Sequence, residues 1–157
     1  MVEQASLMVV DDDQAMTGAL AKILGALGYN VITAKSGYAA LAAMGQVRPD
    51  VVIADLKMDG MSGHELQSEI ARRNPDVPVV IITAFGSIES AVESMRSGAF
   101  DFITKPFTNG QLKMVVERAL EQSELRREVQ RLRRELARSY GVENIINGMP
   151  SNGDATR

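Results

Sequence analysis

The run Val51-Val52-Ile53-Ala54, closed by Asp55, constrains the fold more than any other stretch. Neither parity carries a polar side chain, so an extended chain here is apolar on both faces. Such a strand belongs in the middle of a parallel sheet covered on both sides. The residues that follow, Leu56-Lys57-Met58-Asp59-Gly60-Met61-Ser62-Gly63, are loop chemistry. Asp55 therefore stands where a central strand ends, on the rim where open α/β sheets bind ligands. A lone Asp at that place would more simply stop the strand or cap the next helix. Four more residues, each at the end of a strand, shift that balance.

Leu7-Met8-Val9-Val10 is a first buried strand, and it ends in Asp11-Asp12-Asp13. One of these acids, Asp13, suits a helix N-cap. Three adjacent carboxylates nevertheless repel one another and call for a cation. Met16, Ala19, Leu20, Ile23, Leu24 and Leu27 then recur at helical spacing up to Gly28. Asn30–Ala34 is a second strand, and Ser36 caps a helix reaching Met44. After the Asp55 strand, His64–Arg73 is a helix with Leu66 and Ile70 inward, ended by Asn74-Pro75. Val79–Ile82 is the fourth strand, ending in Thr83-Ala84. Ser87 opens a helix carrying Ile88, Ala91, Val92 and Met95, closed by Gly98. Phe102–Thr104 is a short fifth strand ending in Lys105-Pro106, and Thr108 with Gln111 has capping-box spacing for a last helix. Five strand–helix units with right-handed crossovers give an α/β fold of three layers. The expected architecture is a doubly wound, flavodoxin-like, five-stranded parallel sheet of order 2-1-3-4-5 with an extended C-terminal helix.

In that topology Asp11, Asp12, Asp55, Thr83 and Lys105 converge on one rim. Clustered carboxylates suit Mg²⁺, a hard cation that takes oxygen ligands and keeps several waters. A carboxylate whose charge is offset by the metal can approach a phosphoryl group and act as a nucleophile, forming an acyl phosphate. Lys105 and Thr83 offer a charge and a hydroxyl to phosphoryl oxygens. Taken singly, Lys105 reads as a surface residue and Thr83 as a β-branched strand residue. The five together, in this order, are a specific signal.

Composition narrows the field. The 157 residues contain no cysteine, which excludes disulfides, thiolate metal sites and thiol catalysis. No run approaches a membrane span, and a signal-peptide layout is missing from the N-terminus, so a cytoplasmic location is expected. Residues 1–116 carry a net charge of −4 and residues 117–157 of +1. Direct nucleic-acid binding through bulk charge is not expected of such a chain.

Residues from roughly 5 to 120 resemble the receiver domains of two-component response regulators. The resemblance is carried by Val9-Val10-Asp11-Asp12, by Asp55 with Met58-Asp59-Gly60-Met61-Ser62-Gly63, by Thr83-Ala84 and by Lys105-Pro106-Phe107. It implies that Asp55 takes a phosphoryl group from the phosphohistidine of a sensor histidine kinase. It implies that Asp12, Asp55 and the main-chain carbonyl of Lys57 hold Mg²⁺, with Asp11 acting through water. Thr83 and Lys105 would contact the phosphoryl group, and Phe102 matches the switch aromatic that turns inward as Thr83 moves. Lys105-Pro106 is expected to be cis. A Lys at position 57 and a Phe at position 85 stand where the family tunes acyl-phosphate lifetime. The chain departs from many members in carrying Asp59 where they have a proline after the methionine, which bears on the stiffness of the loop. Such a protein is not a turnover enzyme; it phosphorylates itself and slowly loses the phosphate.

Beyond Thr108 no helix breaker appears before about Tyr140. Leu125, Val129, Leu132 and Leu136 have 4-3-4 spacing, a short coiled-coil seam, and the arginines and glutamates between them read as a solvated face. The expected organisation is a receiver over 1–120, a dimerisation helix over 121–140 and a disordered tail over 141–157. A homodimer would form through the helix, the surface of the fourth helix, fifth strand and fifth helix (about 87–120), or both. Ala84-Phe85-Gly86-Ser87, Gly98–Phe102 and Glu143–Ile146 resemble the receiver and linker of NtrC-type activators of the alternative sigma factor used in nitrogen regulation. The chain would then be part of such a regulator or a receiver acting alone. Three rivals are weaker. An Mg²⁺-dependent aspartyl phosphatase needs a second Asp where Lys57 stands, and the reverse order of its acids. A flavin-binding module would set its phosphate against Asp11-Asp12-Asp13. A mere dimerisation scaffold has no use for costly carboxylates.

Overall fold

The computed structural model describes residues 4–84 and 88–146, and side chains up to residue 139. Five strands form one parallel sheet: β1 (Ser6–Val10), β2 (Asn30–Ala34), β3 (Val51–Asp55), β4 (Val79–Thr83) and β5 (Asp101–Thr104). Their order is β2-β1-β3-β4-β5, all neighbours parallel, as expected from the strand–helix alternation. The helices are α1 (Gln14–Ala26), α2 (Gly37–Met44), α3 (Gly63–Arg73), α4 (Ile88–Arg96) and α5 (Asn109–Ile146).

Strand parity divides the core. Leu7, Val9, Val51, Ile53, Val80 and Ile82 face one layer, where Leu20 and Leu24 of α1 and Leu112, Val116 and Ala119 of α5 cover them. Met8, Val10, Val52, Ala54, Val79 and Ile81 face the other, under Ala40 of α2 and Leu66 and Ile70 of α3. Every residue of β3 and β4 is buried, which accounts for their unbroken apolar runs.

Local signals set the helix ends. Asp13 caps α1, accepting from the N–H groups of Ala15 and Met16, and Gly28 follows at φ +99°. Ser36 caps α2 through the Ala39 N–H. Ser62 and Glu65 form a capping box on α3. Thr108 and Gln111 exchange reciprocal bonds of 3.0 and 2.8 Å ahead of α5, as their spacing predicts.

Three sequence expectations need correction. Ala19 and Leu27 share the apolar spacing of α1 but are exposed; Thr17 is buried in their stead, with Leu20 and Leu24. On α4 only Ala91 and Ser94 are buried, while Ile88, Val92 and Met95 are exposed. The C-terminal helix runs to Ile146, past the stop expected near Tyr140 and into the stretch read as a tail, because no Pro follows before residue 150 and Gly141 alone does not end it. The rest of the tail expected over 141–157, residues 147–157, lies outside the described residues, as do Phe85 and Ser87. Compactness divides the chain at Ser123/Glu124, three residues past the expected boundary. In the second unit Leu125, Val129, Leu132 and Leu136 are all exposed, and Arg131 pairs with Glu128 and Glu135 along the helix.

Two glycines test this packing. A Cβ at Gly63 would lie 2.3 Å from the Asp55 carbonyl oxygen, a backbone atom that cannot swing aside as a side-chain tip can. A Cβ at Gly18, inside α1, would meet nothing within 4 Å among the described residues. Gly63→Ala should cost about 2 kcal/mol or more in urea unfolding, and Gly18→Ala should add about 0.5–1 kcal/mol. Equal midpoints for the two variants would contradict this packing.

Candidate functional site

The site is built where β1, β3, β4 and β5 end. Parallel pairing sets Val10 beside Ala54 and Asp55 beside Ile82. Asp11 and Asp12 thus leave β1 level with Asp55, and Thr83 stands one residue past it on β4. The Lys105 N–H donates to the Thr83 carbonyl at 2.8 Å, which carries Lys105 onto the same rim. The Lys105–Pro106 peptide is cis.

The three adjacent acids have separate tasks. Asp13 caps α1. Asp11 is 2% exposed; its Oδ1 accepts from the Asp13 N–H at 2.9 Å, and its Oδ2 is buried with no hydrogen-bond partner among the described residues. Asp12 is exposed and its Oδ2 accepts from the Asp59 N–H at 3.1 Å, tying β1 to the loop after β3. Asp11, Asp12 and Asp55 each offer a carboxylate oxygen, all within 4.8 Å of one another. Opposite them Lys105 Nζ lies 3.1 Å from Asp55 Oδ1.

The electrostatics are unbalanced. Among the described residues, Lys105 faces three carboxylates. Two like charges at 4.8 Å repel by about 3–4 kcal/mol at an effective dielectric near 20. Burial, then the neighbouring Asp55 and Asp12 charges, push the Asp11 carboxyl above its ordinary range, against the pull of the Asp13 N–H and Lys105. A buried carboxylate oxygen without a partner, beside two more, is the donor set that a hard divalent cation fits. These residues therefore suit Mg²⁺.

Thr83 is fully buried and shares the parity of Val79 and Ile81. Phe102 pairs with Ile81 and packs against the same cluster, half-buried. Thr83 and Phe102 thus lie on one side of adjacent strands, with Phe102 one pleat deeper. Lys57 is exposed, two residues after Asp55.

The loop after β3 is held by contacts the sequence did not announce. The Gly63 N–H donates to the Leu56 carbonyl at 2.8 Å. Gly60 has φ +81°, and a Cβ there would sit 3.3 Å from Tyr38 Cε2. A Cβ at Gly37 would run into Met61 Sδ at 2.7 Å. The start of α2 thus braces the loop that carries Asp59 in place of proline. The one available signal, Ser62 and Glu65 at capping-box spacing, marks only where that loop ends.

Comparison with known proteins agrees with this geometry. A family model described as the response regulator receiver domain matches residues 7–117. The nitrogen assimilation regulatory protein NtrX of Azorhizobium caulinodans is 42% identical over 129 residues, covering 81% of this chain and 28% of that protein. The transcriptional regulatory protein GlrR of Escherichia coli K12 is 43% identical over 119 residues, 76% of this chain and 27% of that one. The crystal structure of NtrX from Brucella abortus superposes with a TM-score of 0.77 at 42% identity, over 83% of this chain and 30% of that chain. The receiver domain of that NtrX alone gives 0.71 at 41% identity, over 73% and 98%. The chain spans between a quarter and a third of the length of the curated relatives it matches. With a family match over more than half its residues and a rim of acids, threonine and lysine on the expected sheet, the chain belongs to the response regulator receiver domain family.

Proposed function

We propose that this chain is the phospho-accepting receiver of a two-component system, with Asp55 as the acceptor and a sensor histidine kinase as the donor. The observation that carries the reading is Asp55 set between the Asp11–Asp12 pair and Lys105 Nζ at 3.1 Å. One carboxylate oxygen of Asp55 bonds to phosphorus as the bond from phosphorus to the donor's imidazole nitrogen breaks, and the imidazole leaves with the electron pair. Lys105 holds Asp55 before transfer and offers its charge to a phosphoryl oxygen afterwards. Asp11, Asp12, Asp55 and the Lys57 carbonyl would hold Mg²⁺. When bound, that ion offsets the repulsion among the acids and the charge on the phosphoryl oxygens. The cycle ends in hydrolysis of the aspartyl phosphate, so the chain works as a switch and not as a turnover enzyme, in the cytoplasm of its cell.

The added charge, roughly −1.5 to −2 units, draws on Thr83, the hydroxyl that ends the neighbouring strand β4. Movement of Thr83 frees space on the side where Phe102 packs. The surface from α4 to α5 then changes shape for its reader. Dimerisation through the exposed seam of α5, aided by that surface, is the output we favour, in keeping with relatives named as transcriptional regulators. Sedimentation should show a tighter dimer with beryllofluoride and Mg²⁺; a monomer under both conditions would sink this part.

Asp55→Asn should lose all phosphoryl uptake from acetyl phosphate with Mg²⁺ present, read by intact mass. Stoichiometric labelling of that variant would place the acceptor elsewhere. Asp11 supplies a second prediction. Its folded pKa is raised, so the native state holds this proton more tightly than the unfolded chain. The stability it contributes is complete below the ordinary carboxylate range and is lost as pH rises through the raised value. At neutral pH its charge therefore costs stability in the metal-free protein. Asp11→Asn should stabilise the metal-free chain by about 1 kcal/mol, flatten its gain on mild acidification, and weaken Mg²⁺ binding by about tenfold or more. A less stable variant with unchanged Mg²⁺ affinity is the contrary result.

A further inference from the structure

α4 is thinly attached. Of its nine residues only Ala91 and Ser94 are buried, and the Ser94 hydroxyl donates within the helix, to the Ser90 carbonyl at 3.1 Å. Ile88, Val92 and Met95 are 50%, 41% and 36% exposed. So few buried methyl groups hold a helix weakly, and any single directed contact then weighs heavily.

Such a contact comes from Gln67 on α3. It is 1% exposed, among the most buried side chains of the chain, at a place between Leu66 and Ile70 where an apolar residue would pack. Its Nε2 donates to the Ser97 carbonyl at 3.1 Å, just beyond the end of α4. Gly98 has φ +112°, and a Cβ there would come within 3.2 Å of Nε2, so the turn closes directly over the amide. That turn is itself bonded back, Gly98 N–H to the Met95 carbonyl and Ala99 N–H to the Ser94 carbonyl. The other amide atom, Oε1, is buried and has no hydrogen-bond partner among the described residues. One turn earlier, Gly63 comes so close to the end of β3 that a Cβ there would lie 2.3 Å from the Asp55 carbonyl oxygen. α3 is thus a strut with the acceptor's backbone at one end and the end of α4 hung from its middle.

We infer that Gln67 is a positioning residue for the switch: its amide pins the C-terminal end of α4 to α3 and holds the Ile88–Val92–Met95 stripe in its resting place. The inference rests on the receiver reading and adds to it the contact against which phosphorylation works. An inert core residue here would have no need of an amide with one side unsatisfied, which is costly when buried. Losing one hydrogen bond of this kind shifts a local equilibrium by about threefold to tenfold.

The test is Gln67→Met, of similar length and volume but without the amide, read by hydrogen exchange on the unphosphorylated full chain. Amides of Ser94–Ala99 should exchange about threefold to tenfold faster, with those of β3 and β4 unchanged. The further increase on adding Mg²⁺ and beryllofluoride should shrink. Wild-type rates in α4, or a uniform acceleration across the domain, would overturn the inference. If the variant does not fold, the wild-type side chain answers: the Gln67 Nε2 protons should be protected and should shift on adding Mg²⁺ and beryllofluoride, whereas exchange like that of free glutamine would overturn the pin. Phosphoryl uptake from acetyl phosphate is measured alongside. Its absence in wild type and variant alike speaks against Asp55 as acceptor and leaves the α4 result standing.

Discussion

Repulsion among carboxylates at one sheet rim is the constraint that the rest of the molecule serves. One carboxylate oxygen each from Asp11, Asp12 and Asp55 is brought within 4.8 Å of the others, with Lys105 opposite. Left to itself such a cluster would spread, and three features oppose that. The buried β1–β3 pairing fixes the two strand ends at the same height. The Asp13 N–H holds Asp11, and the Asp59 N–H holds Asp12. Lys105 holds Asp55. The unsatisfied oxygen of Asp11 is the strain that remains, and it is the atom a divalent cation would relieve.

The loop after β3 shows how closely that geometry is supported. Gly63 is required because a Cβ there would strike the Asp55 carbonyl, and Gly60 because its backbone is left-handed. Tyr38 and Gly37 brace the same loop from α2. A proline is one way to stiffen such a loop; here contacts from a neighbouring helix take that part. The neighbouring α4, tied to α3 through Gln67 and the Ser97 carbonyl, is built differently. α4 is lightly packed and leaves its large apolar side chains in solvent, the composition of an element that can shift.

Much of this is legible in the sequence. The strands are, because β3 and β4 are buried on both faces and carry unbroken apolar runs, and strand–helix alternation leaves few topologies. The rim residues are, because parallel strands all end on one side. Asp13 and the Thr108–Gln111 pair are legible as caps because capping is local chemistry. What escapes is tertiary. Nothing in the periodicity of α3 says that Gln67 is buried, since its reason is the Ser97 carbonyl thirty residues on. Ala19, Leu27, Ile88, Val92 and Met95 obey helical spacing yet are exposed, because spacing identifies a face without saying whether anything covers it. The pairing of buried Asp76 with Arg48 likewise joins two loops that no motif connects.

The central claim is that one cation and one phosphoryl group share the pocket of Asp55. A crystal structure grown with Mg²⁺ and beryllofluoride tests it most directly. The account predicts beryllium bonded to an Asp55 carboxylate oxygen, magnesium among the Asp11, Asp12 and Asp55 carboxylates, and Lys105 Nζ turned to a fluoride. Beryllofluoride on another residue, or magnesium bound away from these three acids, would contradict it.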